Sequence, residues 1–194
     1  MKERPILFSA PMVRAILDGS KTQTRRAVKR IINTDLGDCI KDVDGLPSRL
    51  DFAPQNWECC PYGQPGDRLW VRETHLPKAS GTIYRADYSE FEAAGLGGMY
   101  GGWKPSIFCK REHSRILLEI VSVRVERLQE ISEADAIAEG IAVDEIGHAI
   151  REDDDIAWGS AKGAYAELWE RINGSGSWDA NPWVWVIEFK RVQS

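Results

Sequence analysis

The chain of 194 residues is poor in several features that would narrow its function at once. No apolar run approaches the roughly 18 residues needed to cross a bilayer. The N-terminal MKERPILFSAP has too short an apolar stretch for a secretory signal, so the expected location is cytoplasmic with no membrane partner. Only three histidines occur, His75, His113 and His148, and they are too dispersed to argue a triad or a metal centre. The four cysteines, Cys39, Cys59, Cys60 and Cys109, contain no C-x-x-C pair, and even with His113 their spacing fits no common zinc module. They are expected as reduced thiols, with no metal and no cofactor implied. With 25 basic against 30 acidic residues, the net charge of -5 excludes a broadly basic nucleic-acid coat protein. It leaves room for a local basic pocket that takes a nucleotide or a short RNA. GLGGMYGG at 95–102 lacks the lysine of a phosphate loop and reads as a loop too glycine-rich for regular structure.

What is present describes one ordinary globular domain, 43% hydrophobic and 28% charged. PILF at 5–8 reads as a short buried strand. Ser9 and Pro11 then open a helix on Met12, Ile16 and Leu17, which Gly19 closes. Residues 29–60 show no sustained period and read as a long loop. After the turn signal PYGQPGD comes the strand RLWVRE at 68–73, with Leu69 and Val71 on one face and Trp70 and Arg72 on the other. TIYRA at 82–86 is a further short strand. The strongest β signal is 114–128, where Val121, Val123 and Val125 alternate with Ser122, Arg124 and Glu126. Ser132 and Asp135 have the spacing of a capping box, opening a helix that carries Ala136, Ile137 and Glu139 and closes at Gly140. EDDD at 152–155 reads as a solvated loop. Residues 160–172 form an amphipathic helix with Tyr165, Leu168, Trp169 and Ile172 on its apolar face, and WVWVIEF at 183–189 is a final buried strand. Short strands without βαβ alternation, few helices and long loops predict an α+β fold: a small mixed or antiparallel β-barrel with peripheral helices.

Within this frame GSKTQTRRAV, at 19–28, gathers a lysine, two threonines and two arginines with no acid among them. Positive charge concentrated in an acidic chain points to a site for an anionic or polar ligand. Lys21 and Thr24 also carry groups able to do chemistry, and Arg25 and Arg26 suit a phosphate or an oxyanion. A lysine three residues before a threonine shares its face in a helical turn but not in a flat strand. Joint action of the two therefore requires a bend around Thr22 and Gln23. Arg72 and Glu73 form a second polar pair at a strand end. Among the eight tryptophans, Trp183 and Trp185 are expected in the core, or as a stacking wall for a base.

GSKTQTRR, PGDRLWVRE, VERLQEISEADAIAEGI and NPWVWVIEFKRV, in that order, resemble the ASCH domain of the PUA-like β-barrel superfamily, in the form carried by bacteriophages and prophages. The matching segments cover about half of a single domain spanning 1–194; the stretches at about 30–60, 77–110 and 142–180 are long insertions outside the minimal unit. The resemblance implies a PUA-like barrel that binds RNA or a modified nucleoside. Small bacterial members include N4-acetylcytidine amidohydrolases, whose motif G-x-K-T-x-T-x-R is matched by Gly19, Lys21, Thr22, Thr24 and Arg26. It thereby implies Lys21 as proton acceptor, Thr24 as nucleophile and Glu139 as proton donor; Thr22, Arg25, Arg26, Arg72 and Glu73 are the candidate ligand-binding residues. A non-catalytic reader of RNA or a modified base, and a ribonuclease, are the alternatives.

Overall fold

The Val-rich alternation near residue 121 builds the longest strand of the molecule. In the computed structural model, residues 1–29, 31–34, 37–41, 47–49, 60–99, 102–145, 147–150 and 157–192 are described. The elements in chain order are β1 (Glu3–Leu7), α1 (Ala10–Asp18), β2 (Gln23–Ala27), β3 (Ile32–Thr34), β4 (Gly37–Lys41), β5 (Pro47–Arg49), β6 (Arg68–Arg72), β7 (His75–Lys78), β8 (Gly81–Tyr84) and α2 (Glu90–Met99). There follow β9 (Leu117–Arg127), α3 (Glu133–Ala138), β10 (Ala149–Ile150), β11 (Ala157–Trp158), α4 (Ala161–Asn173) and β12 (Trp183–Arg191).

The main sheet has the order β1-β6-β9-β12-β2. Only the β1–β6 pair is parallel; the other three pairs are antiparallel. The fold is thus α+β on a mixed sheet, as composition and patterning require. The sheet is not closed, which corrects the expected barrel: among the described residues β1 and β2 are its edges and share no ladder. A side chain spans the seam between them instead, because Arg26 Nη2 donates to the Leu7 carbonyl at 2.6 Å.

β12 is buried on both faces, which is why its sequence is almost continuously apolar. Trp185, Ile187 and Phe189 enter one core with Ile6, Leu69, Leu118 and the α1 residues Val13 and Ile16. Val184 and Val186 enter a second core with Leu128, Ala136, Tyr165 and Trp169 beneath α3 and α4. The register between β12 and β9 slips at Glu188/Phe189, where Ser122 and Ile120 face consecutive partners and Val121 is left over. This bulge reverses the strand's parity. Leu118 and Ile120 point inward before it and Val123 after it, while Val121 is turned out at 51% exposure. Strict alternation had placed Val121 with Val123.

Two further expectations of loop are corrected. Gly95, Gly97 and Gly98 lie inside α2, where Trp103 Nε1 donates to the Ala93 carbonyl. Part of the 30–60 stretch forms the antiparallel sheet β3-β4-β5. Cys59 and the acidic 152–155 stretch lie outside the described residues. The helix at 160–172 is present as α4: Tyr165 and Trp169 are buried, while Ile172, on the last turn, is exposed. No helix among the described residues is long and apolar enough to cross a membrane.

Gly140 joins the two halves of the site described below. Its φ is +95°, and a Cβ there would meet Ala15 Cβ at 3.1 Å and Lys21 Cβ at 3.3 Å. Gly140→Ala is expected to lower the unfolding free energy by about 1–3 kcal/mol. Gly147→Ala, at a similar φ of +87° with open space around it, is expected to cost less. Urea unfolding of the two variants side by side checks the difference.

Candidate functional site

The basic stretch begins where α1 stops. Gly19 takes the left-handed conformation that ends the helix, at φ +89°. The Lys21 N–H then returns to the Ala15 carbonyl at 2.8 Å, which turns the chain inward. Strand pairing starts only at Gln23, so Lys21 lies outside the ladder and escapes the alternation that would have opposed it to Thr24. Next to it, the Thr22 N–H donates to the Ala138 carbonyl at 2.9 Å, fastening β2 to the end of α3. α3 is started by Ser132, whose hydroxyl accepts from the Asp135 N–H while the Asp135 carboxylate accepts in return. The residue that follows α3 is Glu139.

These two chain ends bring the site together. Lys21 Nζ lies 2.7 Å from Glu139 Oε2 and 2.6 Å from the Glu139 carbonyl oxygen. Lys21 is 2% exposed and Glu139 5%. Arg25 reaches the other carboxylate oxygen, Oε1, at 3.4 Å, and donates to Glu126 Oε1 at 3.0 Å through Nε and 2.5 Å through Nη2. Its Nη2 also lies 3.3 Å from Asp135 Oδ2, and Gln23 Nε2 donates to Asp135 Oδ1 at 3.0 Å. Arg124 closes the group by bridging Glu126, Asp135 and Glu188.

Burial is the largest influence on Lys21, and it pushes the ammonium pKa down; the Glu139 carboxylate opposes this, and the charges of Arg26 and Arg25 add to it. The outcome lies below the ordinary lysine value of 10.5. Lys21 also sits 5.7 Å from the centre of the Phe8 ring, so part of its surroundings is apolar. On Asp135, burial raises the pKa, but hydrogen bonds from Gln23 and Ser132 and the Arg25 charge outweigh it and leave the value below normal.

A cleft opens over this cluster between α1 and α4. Its larger lobe, about 390 Å³, is lined by Met12, Arg14, Ser20, Glu139, Leu168 and Arg171 among others. A smaller recess of about 80 Å³ shares Met12, Glu139 and Leu168 with it. That recess also touches Thr24, Arg25, Arg26, Tyr165 and Trp169. Lys21, Thr24, Arg25, Arg26 and Glu139 therefore belong to one neighbourhood, in which Thr24 and Glu139 face the same recess. Thr22 is exposed beside it and contributes its backbone.

Arg72 and Glu73 belong elsewhere. Glu73 is buried and held in two places by Arg115, with Nε–Oε1 at 2.9 Å and Nη2–Oε2 at 3.0 Å, and Arg115 also grips Asp87. Burial nonetheless pushes the Glu73 pKa up, against the pull of Arg115. Arg72 donates to the Ile107 carbonyl and lies over Trp70. The rings of His75 and His113, far apart in sequence, lie 5.5 Å apart and tilted by 31°. Cys39, Cys60 and Cys109 are buried. Among the described residues no three histidine, cysteine or acidic side chains gather as a metal-binding group. Of the two tryptophans offered as a stacking wall, Trp185 is core, and Trp183 is half-buried under Arg127 at 4.1 Å.

Sequence reasoning overlooked Gln23, Glu126 and Asp135 as partners of the basic stretch, and Tyr165 and Trp169 as walls of the recess. The capping pattern at Ser132–Asp135 was visible, but nothing in the spacing shows that the capping carboxylate also meets Arg25.

Removing one partner of a buried ion pair leaves the other charge uncompensated. Glu139→Ala is accordingly expected to destabilise the protein by about 3–5 kcal/mol, and adding Lys21→Met to that variant to restore part of the loss. Because the Lys21 pKa lies below 10.5 in the folded state, the unfolded chain binds more protons in the window beneath that value. The lysine's contribution to stability therefore rises as pH increases toward 10.5, and Lys21→Met should flatten that slope in chemical unfolding at a series of pH values. The chain matches no protein-family model, no curated protein and no solved structure.

Proposed function

We propose that this protein is a PUA-like amidohydrolase that removes the acyl group from a modified cytidine of the N4-acetylcytidine kind. The observation that carries the reading is the buried Lys21–Glu139 contact at 2.7 Å, set beside a recess that Thr24 and Glu139 both line. Amide cleavage needs a nucleophile, a base for its proton and an acid for the leaving amine. A solvated lysine is a poor base at neutral pH; burial and neighbouring positive charge favour its neutral form. Lys21 has both.

The Lys21–Glu139 pair holds one transferable proton between its two members. With the proton on Glu139, Lys21 is a neutral amine and accepts the Thr24 hydroxyl proton as Oγ1 adds to the acyl carbon. The carbonyl π pair moves onto oxygen. Collapse of the adduct breaks the C–N bond, and the Glu139 proton goes to the leaving amine. The products of this half are free cytidine, acyl-threonine and the ion pair Lys21–Glu139. Water then adds to the ester, giving a proton to Glu139, and Thr24 leaves with the proton from Lys21. The acid is released and both groups return to their starting forms. The 390 Å³ lobe falls within the roughly 300–1,000 Å³ of small-molecule sites, which suits a nucleoside better than the 80 Å³ recess does.

Purified protein is expected to release acetate and cytidine from N4-acetylcytidine. Lys21→Ala and Thr24→Ala are each expected to lower kcat/KM by at least about 100-fold with the fold intact by circular dichroism. The rate should fall as pH rises along a limb whose midpoint lies below 10.5, since the active form carries the one proton that Lys21 and Glu139 share and the leaving amine needs it. Binding of RNA that weakens with salt and with Arg26→Ala, in the absence of any product, would favour the reader instead.

A further inference from the structure

Two residues that line the small recess carry buried hydrogen-bond donors without a partner. Trp169 is 5% exposed, and its indole Nε1–H is buried without a partner. Arg26 lines the same recess and has a buried, unpartnered Nε–H, although its Nη2 is held by the Leu7 carbonyl and its guanidinium lies 5.3 Å from the Phe8 ring centre. No carboxylate among the described residues pairs with Arg26. A third donor follows from the ladder. Val28 N–H bonds to the Trp183 carbonyl and Phe189 N–H to the Thr22 carbonyl, so the even-numbered residues of β2 are the hydrogen-bonded ones. Arg25, between them, directs its N–H away from β12, toward the open edge of the sheet, and Arg25 is among the residues that line the recess.

A buried donor left unsatisfied costs about 1–3 kcal/mol, and most such groups in folded proteins are paired. Two such donors on residues that line one recess together with Thr24 suit a ligand oxygen that gains negative charge there. Resting on the amidohydrolase reading, we infer that the Trp169 Nε1–H, assisted by the Arg26 Nε–H and the Arg25 N–H, is the oxyanion hole that stabilises the acyl oxygen once Thr24 has added to the carbonyl. The small recess then takes the acyl group and the larger lobe the nucleoside. The recess volume of about 80 Å³ also makes the site selective for short acyl chains.

The test is Trp169→Phe, which keeps an aromatic ring and removes the N–H. It is assayed on N4-acetylcytidine beside the wild type, with urea unfolding as the fold control. Loss of one oxyanion donor costs about 10²–10³ in kcat. The expected result is a drop of about 100-fold in kcat with KM changed less than about threefold. Benzothienylalanine placed at position 169 keeps the two-ring shape and lacks the N–H; it should reproduce the loss even if the phenylalanine variant folds poorly. Arg26→Lys, which keeps the charge and removes Nε–H, should lose a further part of kcat. Turnover unchanged in the Trp169 variants, with stability alone reduced, would mean that buried water satisfies the indole and would overturn the oxyanion hole while leaving the amidohydrolase intact. Absence of turnover in the wild type would overturn both.

Discussion

The molecule depends on a carboxylate that is shared by two cations away from water. Glu139 accepts from Lys21 on one oxygen and from Arg25 on the other, and all three side chains are almost fully buried. Taking such charges out of water costs several kcal/mol per ion, and attraction offsets this only where geometry and additional hydrogen bonds are good. The additional bonds are supplied here by Glu126, Asp135 and the Glu139 carbonyl. The end of α1, the edge strand β2 and the end of α3 must meet within a few tenths of an ångström for the cluster to exist.

That demand explains the local chain geometry. Gly19 ends α1 in a conformation few side chains adopt, and Gly140 turns away from Glu139 where a Cβ would strike Ala15 and Lys21. The bulge in β9 lies opposite Glu188/Phe189, one step from the bond between Phe189 and Thr22 that fixes the start of β2. Open edges are usually protected by charge or by covering elements. β2 has both, with Arg25 and Arg26 along it and α1 and α4 lining the recess beside it.

The second polar group, Glu73–Arg115–Asp87 with Tyr84 under the guanidinium at 4.0 Å, follows the same rule of pairing buried charge, at a different end of β6. None of these residues lines the cleft onto which the Lys21 cluster opens. Access, rather than charge, separates the proposed site from the structural pair.

Much of the secondary structure was legible in the chain, because local chemistry decides it. Gly19 and Ser132 mark helix ends by their backbone needs, and WVWVIEF can hardly be anything but a strand buried on both sides. Lys21, Thr24 and Glu139 could be singled out as types able to do chemistry, with Glu139 singled out only by resemblance. Their meeting was not legible. Lys21 and Glu139 are separated by 118 positions, and no periodicity extends that far. The parity change at Val121 and the open seam between β1 and β2 likewise depend on neighbours distant in sequence. Trp169 looked like any core residue of an amphipathic helix. Its indole N–H became notable only when packing had left it without a partner, since burial and satisfaction are properties of surroundings that a sequence does not contain.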